Sequence, residues 1–180
     1  IKNDIHKSEE VFERKYKIPK RVVNYLYSSI SHYAIKPKKF SKAKLKTYYF
    51  DDQFDTSFYE SINGELNKTK YRFREYINPE VDGAFYSIEI KRRFNTETSK
   101  IKKLIYQKLP DNYDISTFRN LLSEIKINTD LDLKELYSNL SEKTLLPSTL
   151  IQYDRNRFDS IEGDVRYNID TNISVKLGLN

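Results

Sequence analysis

Short runs in this chain alternate charged or polar residues with aromatic and branched apolar residues, which is typical of half-exposed β-strands. Two such runs, residues 69–77 and 84–94, flank the turn sequence Asn-Pro-Glu-Val-Asp-Gly and are predicted to pair as an antiparallel hairpin. Further strands are predicted at residues 11–18, 45–50, 100–107, 150–158 and 164–170, with another beginning at 172–175.

Apolar residues recur every three or four positions in other parts of the chain, which indicates helices. Residues 20–32 follow Pro19 and are predicted to be helical, and residues 56–62 are predicted to form a short helix. Residues 116–144 predict two more helices, as a cap or an insertion. Antiparallel strands with segregated helices predict an α+β fold.

Length and composition narrow the class of protein. The 180 residues predict one domain spanning 1–180, and four Gly with no Cys exclude a Gly-rich phosphate loop, disulfides and thiolate-zinc sites. No apolar stretch approaches the roughly 18 residues that cross a membrane. We expect a cytoplasmic location. Attachment to a partner domain at the cytoplasmic face of a membrane is an open alternative.

The positive charge is concentrated in the first part of the chain. The net charge is +6, but residues 1–106 carry 23 Lys and Arg against 14 Asp and Glu, whereas residues 107–180 carry 9 against 12. A positive field of this kind favours an anionic partner.

Charged side chains recur on one face of successive predicted strands. These positions are Glu13 and Lys15, then Lys70, Arg72 and Arg74, then Glu89 and Lys91, then Lys100 and Lys102, then Arg155 and Arg157, and finally Arg166. On one strand the pattern would indicate a solvated face. If the strands curl into a barrel, the basic faces converge, and an interior lined by cations requires an anion of high charge density.

Three acids share these faces. Glu13 and Glu89 each lie two residues from a Lys, and Asp170 lies on the face of Arg166. A carboxylate in a cationic channel stays ionised and could hold Mg²⁺ or Mn²⁺ against triphosphate oxygens. Cross-strand salt bridges are the alternative role.

Seven segments of the chain occur in an order found in a known family: 13–19, 48–52, 70–74, 88–92, 99–100, 153–158 and 165–171. On these segments the chain resembles VTC domains, the polyphosphate polymerase domains of the vacuolar transporter chaperone type. This family belongs to the triphosphate tunnel metalloenzyme (CYTH-like) superfamily. The resemblance runs from about residue 10 to about residue 175.

The resemblance implies an antiparallel β-barrel tunnel with flanking helices, in which basic side chains bind the triphosphate of ATP or a polyphosphate chain. It also implies a carboxylate-held Mn²⁺ or Mg²⁺ that assists phosphoryl transfer. The expected catalytic residues are Lys15, Arg72, Arg74, Lys91, Arg155 and Arg166. Further phosphate-binding residues are expected at Lys70, Lys100 and Arg157, and metal ligands at Glu13, Glu89 and Asp170, with Glu13 and Lys70 added from strand parity.

The chain departs from the family pattern at two points. Val11 stands where related tunnel enzymes often have the first Glu of Glu-x-Glu-x-Lys. The family's late strand with a metal-binding Glu is not found before Asn180, so we expect either a shortened chain or an incomplete barrel.

Several functions remain open. The first is a polymerase that moves the γ-phosphate of ATP onto polyphosphate, and the alternatives are a metal-dependent inorganic or nucleoside triphosphatase and a non-catalytic polyphosphate-binding domain. Aromatic and basic residues interleave at residues 70–76, as in some nucleic-acid-binding proteins. An enclosed barrel argues against nucleic acid as a partner, because a duplex could not enter it.

Overall fold

The structure, a computed structural model, describes residues 13–38, 40–78, 84–95, 97–105, 116, 120, 134, 138 and 144–178. A 3₁₀ turn at Lys20–Val22 leads into helix α1 (Val23–Ile30), and a second helix, α2, spans Thr56–Ile62. The strands are β1 (Ala34–Ile35), β2 (Lys42–Asp51), β3 (Lys68–Ile77), β4 (Ala84–Phe94), β5 (Glu97–Ile105), β6 (Leu146–Ser160) and β7 (Arg166–Leu177).

The seven strands form one antiparallel sheet that curls into a half-barrel. The six long strands lie in the order β7-β6-β2-β3-β4-β5, and the short β1 pairs with the end of β6. Within the described residues, β5 and β7 are the two edges of this sheet. The predicted α+β, antiparallel, barrel-like fold is therefore confirmed.

Helix α1 packs on the convex face of the sheet. Its last residue, Ile30, forms a buried cluster with Phe158 of β6 and Ile169 of β7. At the same place the Asn156 amide donates a hydrogen bond of 2.8 Å to the Tyr27 hydroxyl. Because these β6 and β7 side chains point to the convex face, their neighbours in sequence point to the concave face. None of the helices in the described part of the chain is long and apolar enough to cross a membrane.

Helix α2 is anchored to the end of β2 by a buried carboxylate. Asp51 accepts backbone hydrogen bonds from Ser57 at 2.9 Å and from Phe58 at 3.0 Å. These amides lie in the first turn of the helix, where backbone donors have no partner within the helix. The anchor holds α2 beside the strand end.

Most predicted elements are found. The hairpin is formed by β3 and β4, α2 has the predicted bounds, and the helix predicted at residues 20–32 consists of the 3₁₀ turn and α1. Strands β2, β5 and β6 are longer than, or shifted from, the predicted segments 45–50, 100–107 and 150–158. The two helices predicted at residues 116–144 lie almost wholly outside the described residues, although residues 116, 120, 134 and 138 are helical.

Two predictions of secondary structure were wrong, and one short strand was missed. Residues 13–18 were predicted to be part of a strand, but they are exposed and pair with no described strand. Segments 164–170 and 172–175 belong to the single strand β7, which continues through an irregularity at Asn172, where φ is 52°. The two-residue strand β1 was missed because it is too short to show an alternating pattern.

Candidate functional site

Strand register determines which side chains share the concave face, since directly opposed residues of an antiparallel pair point to the same side. On this face the described strands carry more cations than acids. The cations are Lys68, Lys70, Arg72, Arg74, Lys91, Arg93, Lys100, Lys102, Arg155, Arg157 and Arg166, and the acids are Glu89, Asp159 and Asp170. We call these residues the cationic face.

Curvature brings side chains of non-adjacent strands together on this face. The ammonium of Lys102 on β5 lies 3.5 Å from the hydroxyl of Tyr76 on β3 and 5.1 Å from the centre of its ring. Strand β4 lies between these two strands, so the two side chains meet across it on the concave face.

Glu89 is the buried centre of the cationic face, and its side chain is fully inaccessible to solvent. Its Oε2 accepts a 2.6 Å hydrogen bond from Arg72 Nε, is also paired with Arg72 Nη2, and lies 3.5 Å from Lys100 Nζ. Its Oε1 accepts a 3.1 Å hydrogen bond from the Ser87 hydroxyl and lies 3.9 Å from Lys102 Nζ. Both carboxylate oxygens are therefore directed at donors.

These neighbours keep Glu89 ionised. Burial alone would raise its pKa, but the positive charges of Arg72, Arg74, Lys100 and Lys102 outweigh burial and lower the pKa from 4.5 to about 2. The carboxylate consequently serves as an internal counter-ion for several cations at neutral pH.

Arg74 is buried beside this cluster, and none of the described carboxylates is its direct partner. Its Nε donates a 3.0 Å hydrogen bond to the Thr47 hydroxyl, and its Nη1 donates a 3.4 Å hydrogen bond to the Tyr76 hydroxyl. Burial would lower the pKa of the guanidinium, but the fields of Tyr76 and Glu89 outweigh burial and raise it. Arg74 is thus held as a rigid cation by neutral hydroxyls.

A second ion pair occupies the β6–β7 side of the face. Arg155 donates two hydrogen bonds of 2.7 Å to Asp170, one to each carboxylate oxygen. The Arg155 guanidinium also lies 5.2 Å from the centre of the Tyr153 ring. Farther along the same strands, Arg166 pairs with Asp159 at 2.7 Å, but the Arg166 side chain is 59% exposed.

Six cations of the face have no acidic partner among the described residues: Lys68, Lys70, Arg74, Lys91, Arg93 and Arg157. Burial, together with the charges of nearby lysines that include Lys91, lowers the pKa of Lys70. Burial and the charges of neighbouring arginines likewise lower the pKa of Arg157, whose buried Nε has no hydrogen-bond partner in the described part of the chain. Such uncompensated cations are suited to binding an anion.

The expected site residues are partly brought together. Lys70, Arg72, Arg74, Glu89 and Lys91 lie on β3 and β4, and their side chains point to the concave face. The same face includes Lys100 on β5, Arg155 and Arg157 on β6, and Arg166 and Asp170 on β7.

Glu13 and Lys15 are not on a strand. They form an exposed ion pair with each other at 3.5 Å. The ammonium of Lys15 is nevertheless close enough to Lys70 to help lower the pKa of that residue. Lys15 therefore lies toward the Lys70 end of the cationic face, whereas Glu13 does not join Glu89.

The expected metal ligands do not converge. Glu13 is paired with Lys15, Glu89 is enclosed by cations and hydroxyls, and Asp170 is bonded to Arg155. Among the residues that the structure describes, no group of three or more His, Cys, Asp or Glu side chains could hold a metal ion. This donor set does not fit a divalent cation held by the protein, which requires several oxygen ligands.

Sequence reasoning missed the hydroxyl groups of the site, and the expected site residues did not include the face cations Lys68, Arg93 and Lys102. Thr47, Tyr76 and Ser87 contact Arg74 or Glu89, and Lys102 contacts both Glu89 and Tyr76. Lys102 could have been included, because it alternates with Lys100 on the same strand. The hydroxyls gave no signal, since their role depends on the pairing of strands that are distant in sequence.

An antiparallel half-barrel with a cationic concave face places this protein among the tunnel-like α+β domains. The family model of the VTC domain matches residues 8–177, so the chain belongs to the VTC domain family, which is related to polyphosphate polymerases. A search of curated proteins gave no match to this chain.

Proposed function

We propose that the cationic face binds the triphosphate of ATP and a polyphosphate chain, and that the domain transfers the γ-phosphate of ATP to the chain end. A terminal oxygen of polyphosphate attacks the γ-phosphorus, and the bond between that phosphorus and the bridging oxygen of ADP breaks. ADP leaves with the electron pair, and the chain grows by one phosphate. Membership of a family related to polyphosphate polymerases supports this proposal.

The excess of cations on one concave face is the observation that carries the proposal. Two of its three acids, Glu89 and Asp170, are already neutralised by Arg72 and Arg155. The remaining positive charge has no protein partner among the described residues that could balance it. Partly buried cations of this kind are stabilised by a ligand that presents many anionic oxygens.

The length of the cationic face favours a chain over a lone triphosphate. Arg72 on β3 is directly opposite Tyr49 on β2, and Tyr49 is directly opposite Thr149 on β6. Arg157 lies eight residues beyond Thr149 on β6. At ~3.3 Å per residue, the Cα atoms of Arg72 and Arg157 are separated by about 26 Å along the strands. A polyphosphate chain can contact both ends of such a face at once, whereas a triphosphate contacts one part of it.

The chemistry that these residues supply is electrostatic. Phosphoryl transfer has a loose transition state with negative charge on the equatorial oxygens, so positioned cations lower its free energy with little covalent help. Arg72 and Arg74 are held by Glu89, Thr47 and Tyr76 before any ligand arrives. The face is therefore preorganised for charge that develops during transfer.

Mn²⁺ or Mg²⁺ enters this proposal as part of the substrate, bound to phosphate oxygens of ATP. The proposed partners are ATP, polyphosphate and triphosphate, and we expect no nucleic acid on the concave face. Because ATP is the proposed phosphate donor, the proposal includes a cytoplasmic location, and attachment to a membrane domain stays open.

A non-catalytic polyphosphate-binding domain is the second candidate, and one observation favours it. The carboxylates of the described concave face are bonded to arginines, so none of them is positioned to activate an acceptor or hold a metal. A triphosphatase would use the same cations with water as the acceptor.

Label transfer separates these functions. The protein is incubated with γ-labelled ATP, Mn²⁺ and unlabelled polyphosphate, and labelled polyphosphate, free phosphate and ADP are resolved. We expect label in the polyphosphate, with ADP formed in equal amount. Label in free phosphate would identify a triphosphatase, and intact ATP with bound polyphosphate would identify a binding domain.

A further inference from the structure

We infer that the cationic face binds phosphate chains without a divalent cation held by the protein, and that Glu89 and Asp170 are fixed counter-ions rather than metal ligands. The inference rests on the proposed function, because its ligand is the phosphate chain proposed there. It reverses the role that the sequence predicts for these two acids.

The contacts of Glu89 are the first observation against a metal-binding role. A metal ligand needs carboxylate lone pairs that point toward an open position lined by other oxygen donors. Both oxygens of Glu89 instead face donors, with Arg72 at 2.6 Å and Ser87 at 3.1 Å as the closest hydrogen-bond partners. A divalent cation here would also stand beside the ammonium groups of Lys100 and Lys102.

Asp170 repeats the arrangement on the other side of the face. Its two oxygens accept the parallel hydrogen bonds of Arg155, both at 2.7 Å. This bidentate geometry occupies both carboxylate oxygens and orients the guanidinium. Like Glu89, Asp170 orients a cation of the face and lowers the net charge that the folded protein must tolerate.

The remaining cations provide enough charge without a metal. Lys70, Lys91 and Arg157 have no acidic partner in the described residues, and Arg74 is bonded to hydroxyls. An incoming phosphate chain can therefore supply the missing counter-charge itself. A chain already chelated by Mg²⁺ or Mn²⁺ carries less charge and should bind this face less tightly.

Calorimetric titration of the intact protein tests the inference. Tripolyphosphate and longer polyphosphate are titrated in EDTA and again with excess Mn²⁺, and Mn²⁺ is titrated alone. We expect an affinity in EDTA at least equal to that in Mn²⁺, and no saturable binding of Mn²⁺ alone. Phosphate binding that requires Mn²⁺, or tight binding of Mn²⁺ without phosphate, would overturn the inference.

Two isosteric variants sharpen the test. Glu89→Gln removes one negative charge but keeps a hydrogen-bond acceptor, so its affinity for tripolyphosphate in EDTA should rise about 3- to 30-fold. Glu97→Gln, at an exposed position of β5, is the matched control and should change affinity little. A fall in the affinity of folded Glu89→Gln for tripolyphosphate in EDTA would contradict the counter-ion role.

Failure of the proposed function gives a different result. If neither phosphate ligand binds in EDTA or in Mn²⁺, the phosphate-chain assignment is wrong, and the inference falls with it. If phosphate binds only together with Mn²⁺, the assignment stands and the counter-ion role alone is refuted. The titration with Mn²⁺ alone uses the wild-type protein, so it decides between metal ligand and counter-ion even if Glu89→Gln does not fold.

Discussion

Replacing Lys70 and Lys91 together by alanine is expected to lower the affinity for polyphosphate by about 100-fold or more. The two residues are directly opposed across β3 and β4 and have no acidic partner among the described residues. Each charge-assisted hydrogen bond to a phosphate contributes about 1.5–3 kcal/mol, and 1.4 kcal/mol corresponds to a tenfold change. Isothermal titration calorimetry measures the loss.

The matched control removes two lysines from the opposite face of the same sheet. Lys42 and Lys44 are exposed on β2 and lie on its convex side. Lys42→Ala with Lys44→Ala removes the same net charge and should weaken binding only a few-fold, because exposed distant charges are screened by salt. Equal losses in the two double variants would show that binding depends on net charge rather than on the concave face.

The melting temperature separates binding from folding in this experiment. Like charges opposed across an antiparallel pair are destabilising, so Lys70→Ala with Lys91→Ala should leave the melting temperature unchanged or slightly raised. A large fall in melting temperature would mean that these lysines support the fold, and the loss of affinity would then carry no information about the site.

Replacing Arg72 by alanine is expected to lower the free energy of unfolding by about 3 kcal/mol. The variant leaves the fully buried Glu89 carboxylate without its closest partner, and removing one partner of a buried ion pair is strongly destabilising. Arg166→Ala is the control, because Arg166 is exposed and its pair with Asp159 should contribute less than about 1 kcal/mol. Urea denaturation measures both changes.

A double-mutant cycle and the pH dependence of stability test whether the unpaired Glu89 carboxylate causes the lower free energy of unfolding of Arg72→Ala. In the double variant that combines Arg72→Ala with Glu89→Gln, the loss of unfolding free energy should be smaller than the sum of the two single losses by at least about 1 kcal/mol. The pKa of Glu89 is lowered from 4.5 to about 2, so its contribution to stability is present above pH 4.5 and is lost as the pH falls toward 2. That loss is on the order of 3 kcal/mol in the wild type.

Glu89→Gln should lack this part of the acid dependence, because glutamine does not titrate. Urea denaturation at several pH values between 5 and 2 makes the comparison with the wild type. Identical acid dependence in the two proteins would contradict the lowered pKa, and additive losses in the cycle would contradict the direct pairing of Arg72 with Glu89.

Local sequence predicted the strands of the cationic face well. Alternation in the Lys-Tyr-Arg-Phe-Arg segment gave the orientation of Lys70, Arg72 and Arg74, and the turn signal gave the pairing of β3 with β4. Both depend on short-range properties, namely the two-residue period of a strand and the conformational preferences of turn residues. The irregularity in β7 has no comparable signal, so one strand was predicted as two.

The roles of the acids could not be predicted in the same way. From sequence, Glu89 and Asp170 were equally compatible with metal binding and with salt bridges. The choice depends on which cations face them, and Arg72 and Arg155 belong to neighbouring strands separated from these acids by 17 and 15 residues. Residues 13–18 were misplaced because local alternation does not determine whether a segment pairs with the sheet, and these residues pair with no described strand.

Chain-length dependence of binding tests the central claim most directly, namely that the concave face holds an extended polyphosphate. The wild-type protein is titrated at constant ionic strength with pyrophosphate, tripolyphosphate and polyphosphates of increasing defined length. The two ends of the face, represented by Arg72 and Arg157, predict an affinity that rises with length until the chain spans both and then levels off. An affinity that is already maximal for pyrophosphate or tripolyphosphate would contradict an extended binding face and would favour a compact triphosphate site.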